Sequence, residues 1–361
     1  MDDRQVGSML RLARQAAGLS LSAMASRTYY SKGYLGNVEC GKRHAPIDLI
    51  HAYERALGDD AGRRELLLGL VAGVVTPTAT TDAIAVAFDA AMAEPQVTID
   101  HWLAKLDRYG VDYMSVGAGD MQARIAGDLI RLRPRLDDPR LCSVAARLLT
   151  VQGKTMPSAD GDRAGAIRWY RLGIATADRS GDAEARAWTR GRSALALAYE
   201  AAELTVARRL ADDALAIAAR PSGGRLNALL AHAHVQGLLG DRGGAIETMD
   251  DARRTFDAVG DQDEISDFSI PAWRFAIHES MLYSRLGDEH RAVAAQEATD
   301  RARPDSLPRF GTHVELHRGL MMARSGDRRG GVDHARRALA RLPPDKHSLS
   351  LRLMMAEIEA T

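Results

Sequence analysis

The chain has 361 residues with 48 basic and 48 acidic side chains, so its formal net charge is zero. This balance excludes a protein that coats nucleic acid through a general positive charge, and any attraction to DNA must be local. The two cysteines, Cys40 and Cys142, are too few for a disulfide framework or a cysteine zinc site, so we expect a cytoplasmic protein. The most apolar run, residues 66–75, is too short to cross a bilayer, and we expect no membrane partner.

The first predicted element is a helix that ends near Ala17. Apolar residues recur at helical spacing from Val6 onward, and Gly18 can adopt the left-handed conformation that ends a helix. Ser20 can accept a hydrogen bond from a free amide of the next helix, which we place at 21–28.

Ser31 predicts the start of a third helix, in which Leu35 and Val38 face inward, and a fourth helix follows at about 47–57. A helix that enters the major groove needs hydrogen-bonding side chains near its N-terminus and small residues where its backbone approaches DNA. We therefore predict DNA contacts from this helix: Ser31, Lys32, Gly33, Tyr34 and Asn37. The alternative is a small helical bundle without a DNA-binding role.

With Glu39, Gly41, Lys42 and Arg43 closing the third helix, this segment resembles the Xre family of repressor-type helix-turn-helix domains. The resemblance implies that Glu39 pairs with an arginine of the first helix, Arg14, and that the two basic residues contact phosphate. It also implies two copies acting on two half-sites, and hence a homodimer. One position departs from the family pattern: a leucine, Leu21, stands where a phosphate-contacting glutamine is usual.

A second pattern follows a predicted boundary at 66–81, which contains proline and few apolar residues after position 75. Beyond it, short breakers separate helical segments at intervals of 41, 38, 47 and 39 residues, a spacing typical of a repeat array. The breakers are Gly161-Asp162, Ala202-Glu203, Gly240-Asp241, Gly287-Asp288 and Gly326-Asp327. We therefore divide the chain into a helix-turn-helix domain at 1–65, a linker at 66–81 and a helical repeat domain at 82–361.

Alanines spaced seven apart in the second helix of two units allow close helix packing, and they are Ala207 with Ala214 and Ala245 with Ala252. From about residue 141 to 358 the chain resembles a tetratricopeptide-like α-solenoid, whose concave face is lined by the first helix of each pair. That resemblance predicts an inward-facing ligand groove formed by Arg192, Tyr199, Asn227, His234, Arg274, Ser284 and His313. The alternative for each of these residues is a solvated helix face.

The predicted fold class is all-α, a repressor-type helix-turn-helix bundle followed by a tetratricopeptide-like α-solenoid. The layout is similar to actinobacterial Xre regulators with repeat regions and to peptide-sensing quorum regulators. It implies a sequence-specific transcription regulator that binds double-stranded DNA as a homodimer, with a peptide or small molecule as a candidate effector. We find no catalytic motif, cofactor loop or metal-ligand pattern, and His313 and His317 lack the glutamate of a zinc-protease motif. The alternatives are an interaction scaffold and a constitutive regulator with a purely structural repeat domain.

Overall fold

The structure is a computed structural model that describes residues 3–16, 19–57, 98–115, 118–160, 163–260, 265–343 and 346–361. Every regular element in these ranges is helical and none is a strand, which confirms the predicted all-α class. The α-helices are α1 (Asp3–Ala16), α2 (Leu21–Thr28), α3 (Lys32–Glu39), α4 (Ile47–Leu57), α5 (Ile99–Ser115), α6 (Ala118–Leu132), α7 (Pro139–Asp160), α8 (Arg163–Ser180), α9 (Ala183–Tyr199), α10 (Leu204–Ile217), α11 (Gly223–Leu238), α12 (Arg242–Val259), α13 (Ala272–Leu286), α14 (Glu289–Ala302), α15 (Pro308–Arg324), α16 (Arg328–Ala340) and α17 (Leu349–Ala360). A 3₁₀ turn occupies Arg133–Arg135.

The chain forms two compact units. One comprises Met1–Trp102 and Gly119–Leu141, and the other comprises Leu103–Ala118 and Cys142–Thr361. The predicted linker at 66–81, with its two boundaries, and the apolar run at 66–75 lie outside the described residues, as does the turn at 161–162. No helix in the described ranges is long and apolar enough to cross a membrane.

Helices α1 to α4 form a small bundle in the first unit. Its core contains Leu10, Met24, Leu35 and Leu49, whose side chains are fully buried. Ser20 caps α2 by accepting a hydrogen bond from the Ala23 amide at 3.1 Å, as the sequence predicted. The bounds of α2 and α4 are also those that the sequence predicted, because caps and apolar spacing both mark them.

The second unit is a stack of helical hairpins. The first helices of successive hairpins, such as α9, α11 and α13, are buried along most of their length, whereas α10 buries only Ala207, Ala211 and Ala214. The alanines predicted to permit close packing are fully buried on α10 and α12. This two-layer arrangement is an α-solenoid.

The Gly-Asp pairs make the turns of this stack. Gly287 has a φ of 70°, the left-handed conformation that ends a helix, and Asp288 then caps α14 by accepting a hydrogen bond from the Arg291 amide at 3.2 Å. The pairs at 240–241 and 326–327 have the same geometry. Each pair therefore ends one helix and starts the next, which explains their regular spacing.

Candidate functional site

Helix α3 has one face in the core and one face in solvent. Leu35, Val38 and Glu39 are buried, whereas Lys32 and Asn37 are exposed. The predicted base-contacting side chains are thus available on the outer surface of the bundle. We call the exposed residues of α3, together with Lys42 and Arg43, the α3 surface.

Two predicted contact residues also have structural partners. The Ser31 hydroxyl accepts a hydrogen bond from the Tyr34 amide at 3.2 Å, so Ser31 caps α3. The Tyr34 ring is half-buried and stacks on Tyr30 with 5.4 Å between ring centroids. The guanidinium of Arg43 also lies over the Tyr34 ring, 5.6 Å from the ring centroid. These contacts fix the orientation of Tyr34 and Arg43 before any ligand binds.

Gly33 lies exposed in the first turn of α3. A methyl group added at this position would meet no atom of the described residues within 4 Å, and the backbone is helical there. The bundle itself therefore does not require a glycine, although glycine destabilises a helix by about 1 kcal/mol relative to alanine. A close approach of another molecule to this backbone would explain the presence of a glycine.

Lys42 and Arg43 are exposed after Gly41, whose φ of 68° turns the chain away from α3.

A buried ion pair holds α3 against α1. Arg14 donates to both carboxylate oxygens of Glu39 at 2.7 Å, and the Tyr53 hydroxyl donates to the same carboxylate at 2.8 Å. The hydrogen bond to Glu39 raises the pKa of Arg14, and burial together with that carboxylate raises the pKa of Tyr53. The predicted Arg14–Glu39 pair is confirmed. Leu21, at the position that departs from the Xre pattern, packs partly buried against the bundle core.

The second unit contains a cavity of about 120 Å³. It lies among the first helices of the hairpins, with α5, α7 and the start of α17 completing its wall. Its lining combines cationic, acidic, imidazole, aromatic, aliphatic and hydroxyl side chains: Tyr113, Lys154, Arg192, Leu195, Ala196, Tyr199, Glu200, Arg274, Ile277, His278, Arg309, Phe310, His313, Ser348 and Ser350.

Asp267 lies buried behind this wall, where three cationic side chains share its carboxylate. Arg192 donates to Oδ1 at 2.6 Å and Arg274 to the same oxygen at 3.0 Å, while Lys154 pairs with Oδ2. Burial alone would raise the pKa of Asp267, but the three cations lower it well below its ordinary value. Arg274 also donates to the Ser266 carbonyl oxygen at 3.0 Å.

Holding the three cations of this cluster together in the interior costs free energy. Burial lowers the pKa of Lys154 well below its ordinary value, and the neighbouring Arg192 lowers it further. The pKa of Arg274 is lowered for the same two reasons. The Nε atom of Arg192 is buried without a hydrogen-bond partner in the described residues. One carboxylate therefore does not satisfy the three cations around it.

The predicted groove residues divide into two groups. Arg192, Tyr199, Arg274 and His313 line the cavity, whereas Asn227, His234 and Ser284 do not. Asn227 bonds within its own helix to the Gly223 carbonyl oxygen, and Ser284 accepts a hydrogen bond from Gln296 of α14. All seven are buried or half-buried, so the alternative of a solvated helix face is wrong.

Histidines from three helices lie beside the cavity. His234 and His278 contact each other at 3.2 Å, Tyr199 and His313 at 3.3 Å, and His317 contacts the Ser280 hydroxyl at 2.9 Å. Burial lowers the pKa of His234 and of His313 to about 3, so both are neutral at pH 7. Within the described residues, no group of three or more His, Cys, Asp or Glu side chains could hold a metal ion.

Sequence reasoning missed Lys154 and Arg309, which line the cavity, and Asp267, which lies behind its wall. A signal for Asp267 exists in the repeat spacing. The interval of 47 residues between Gly240 and Gly287 is the longest in the array, and its extra length includes the non-helical segment that carries Asp267. The Asp267 amide donates to the Gly110 carbonyl oxygen at 2.8 Å, which fixes this segment against α5.

A family model described as "Helix-turn-helix domain" matches residues 5–67. No curated protein and no solved structure matches the chain. The matched segment contains α2 to α4, all of α1 except its first two residues, and the whole α3 surface. The N-terminal part is therefore a helix-turn-helix domain, and this supports a DNA-binding regulator.

Proposed function

We propose that this protein is a sequence-specific transcription regulator of the Xre type. The observation that carries the proposal is the α3 surface, which presents Lys32, Gly33 and Asn37 on one helix beside Lys42 and Arg43. Asn37 has the donor and acceptor needed to bond an adenine edge, and the cations can contact phosphate.

The charge of the domain supports a dimer. Residues 1–58 hold eight basic and five acidic side chains, and the Arg14 charge is neutralised inside the core by Glu39. A single copy thus offers few cations to DNA, and tight binding needs two copies on two half-sites. We assign the contacts between copies to the repeat region, which we describe as tetratricopeptide-like.

The cavity supports an effector site in the same region. It joins side chains from six helices, so a ligand bound there contacts several hairpins at once. A ligand that binds one arrangement of the hairpins better than another shifts the population toward it. In a dimer, that shift changes the distance between the two helix-turn-helix domains and therefore the affinity for DNA.

DNA recognition is tested with duplexes selected by the full chain from a random pool. We expect Asn37→Ala to lose about 1–3 kcal/mol of discrimination at one base pair. Lys42→Ala should weaken binding to all duplexes and reduce the salt dependence by about one counterion per site. Arg27→Ala is the matched control, because it removes a positive charge whose guanidinium is bound to the Ala56 carbonyl oxygen at 3.1 Å. Fluorescence anisotropy that finds all three variants alike would overturn the proposal.

Gly33→Ala separates folding from recognition. The added methyl group fits without a clash, so the domain should become more stable by up to about 1 kcal/mol. If the backbone at this position approaches DNA, the same methyl group should weaken specific binding. A variant that is more stable and binds DNA as tightly as the natural protein would show that α3 does not approach DNA at Gly33.

A further inference from the structure

We propose that the cavity of the repeat region binds a small organic acid, whose carboxylate contacts Arg192 and Arg309 and whose apolar body lies against Tyr199, Phe310 and Ile277. This inference rests on the proposed effector site and names the chemical class of its ligand.

The charge of the cavity favours an anion. Four cationic side chains line it, and the carboxylates that face them are those of Glu200 and the buried Asp267. An anion would neutralise part of this excess at a place where burial makes an uncompensated charge costly.

Two of the four cations are suited to a ligand. Lys154, Arg192 and Arg274 all bond to Asp267, but the Nε atom of Arg192 is buried with no hydrogen-bond partner among the described residues. Arg309 forms no ion pair with a carboxylate in the described part of the chain; it donates to the Met114 carbonyl oxygen at 3.5 Å. Two guanidinium groups with unused donors match the oxygens of a carboxylate.

The remaining lining selects an organic body over a bare ion. The aromatic rings of Tyr113, Tyr199 and Phe310 and the aliphatic side chains of Leu195 and Ile277 form part of the wall. Binding sites for small molecules combine such apolar walls with a few placed polar groups. The volume of about 120 Å³ holds roughly ten water-sized positions. An acid with about ten non-hydrogen atoms is therefore the expected size.

Phenylacetate has that size and serves as the probe, and phenylacetamide is its neutral match. Binding to the full chain without DNA is measured by ligand-observed NMR, so the result does not depend on DNA recognition. We expect phenylacetate to bind and phenylacetamide to bind at least tenfold more weakly. Equal binding of acid and amide, or no binding of the acid at millimolar concentration, would overturn the inference. Equally effective competition by inorganic phosphate would also overturn it, because the site would then select charge alone.

Two variants locate the site. Arg192→Gln should weaken phenylacetate binding at least tenfold. Arg309→Gln should have the same effect, and it leaves the Asp267 cluster intact. The second variant therefore still tests the site if Arg192→Gln fails to fold. Arg186→Gln is the control, because Arg186 lies on the same helix, α9, and pairs with Asp178 outside the cavity. Unchanged acid binding in the Arg309 variant would contradict the assignment. A protein that binds the acid but no DNA would refute the proposed function and leave this site in place.

Discussion

Replacing Asp267 with asparagine tests the buried cluster of the repeat region. The side chain keeps its shape, so no cavity is created, but Lys154, Arg192 and Arg274 lose the only carboxylate to which the structure bonds them in the described residues. Removing one partner of a buried ion pair costs about 3–5 kcal/mol, because a charge is left uncompensated in the interior. For a unit of this size, such a loss lowers Tm by roughly 10 °C.

Asp178→Asn is the matched control, because Asp178 also joins two arginines. It bonds Arg186 at 3.1 Å and Arg190 at 2.8 Å, but 40% of its side chain is exposed. Solvent screens such pairs, so this variant should lose at most about 1 kcal/mol. Urea denaturation and thermal unfolding of the two variants give the comparison. Equal stability of Asp267→Asn and Asp178→Asn would refute the view that Asp267 holds the cluster together.

Three further predictions concern packing, pH and the helix-turn-helix bundle. Gly191→Ala should destabilise the repeat region by about 1–3 kcal/mol, because the added methyl group would lie 2.6 Å from the Gly224 carbonyl oxygen. Urea denaturation measures this loss, and unchanged stability would contradict the close contact. In the unfolded chain His234 and His313 bind protons below a pKa of about 6.5, whereas in the folded protein burial lowers the pKa of each to about 3. The free energy of unfolding should therefore fall as the pH drops from 6.5 toward 3, by about 2 kcal/mol per histidine at pH 5. Equal stability at pH 7.5 and 5 would show that these histidines are accessible to protons. Glu39→Gln should destabilise the bundle by about 3–5 kcal/mol, measured by circular dichroism on heating, and a loss below 1 kcal/mol would contradict a buried role for the pair.

Much of the fold could be predicted because local chemistry marks it. Ser20 and Ser31 cap their helices, and Gly240 and Gly287 end theirs in the left-handed conformation, so composition and spacing identify these boundaries directly. The inward residues of the first helices could also be identified, since Arg192 and Tyr199 lie seven residues apart on one stripe.

The cavity could not be predicted in the same way, because long-range packing creates it. Lys154 and Asp267 are 113 residues apart, and nothing local to either residue indicates the other. The tetratricopeptide-like pattern predicted that Asn227 and Ser284 point inward, and both are buried, but neither lines the cavity. Periodicity identifies the buried side of a helix, and only the packed structure shows which buried positions border an open space.

The most direct test of the central claim, that the α3 surface recognises DNA sequence, is a map of binding to fragmented genomic DNA. We expect a limited set of sharp sites that share a motif of two half-sites, with enrichment lost in Asn37→Ala and retained in Arg27→Ala. No enriched site for the natural protein at low salt, or the same sites for Asn37→Ala, would contradict it.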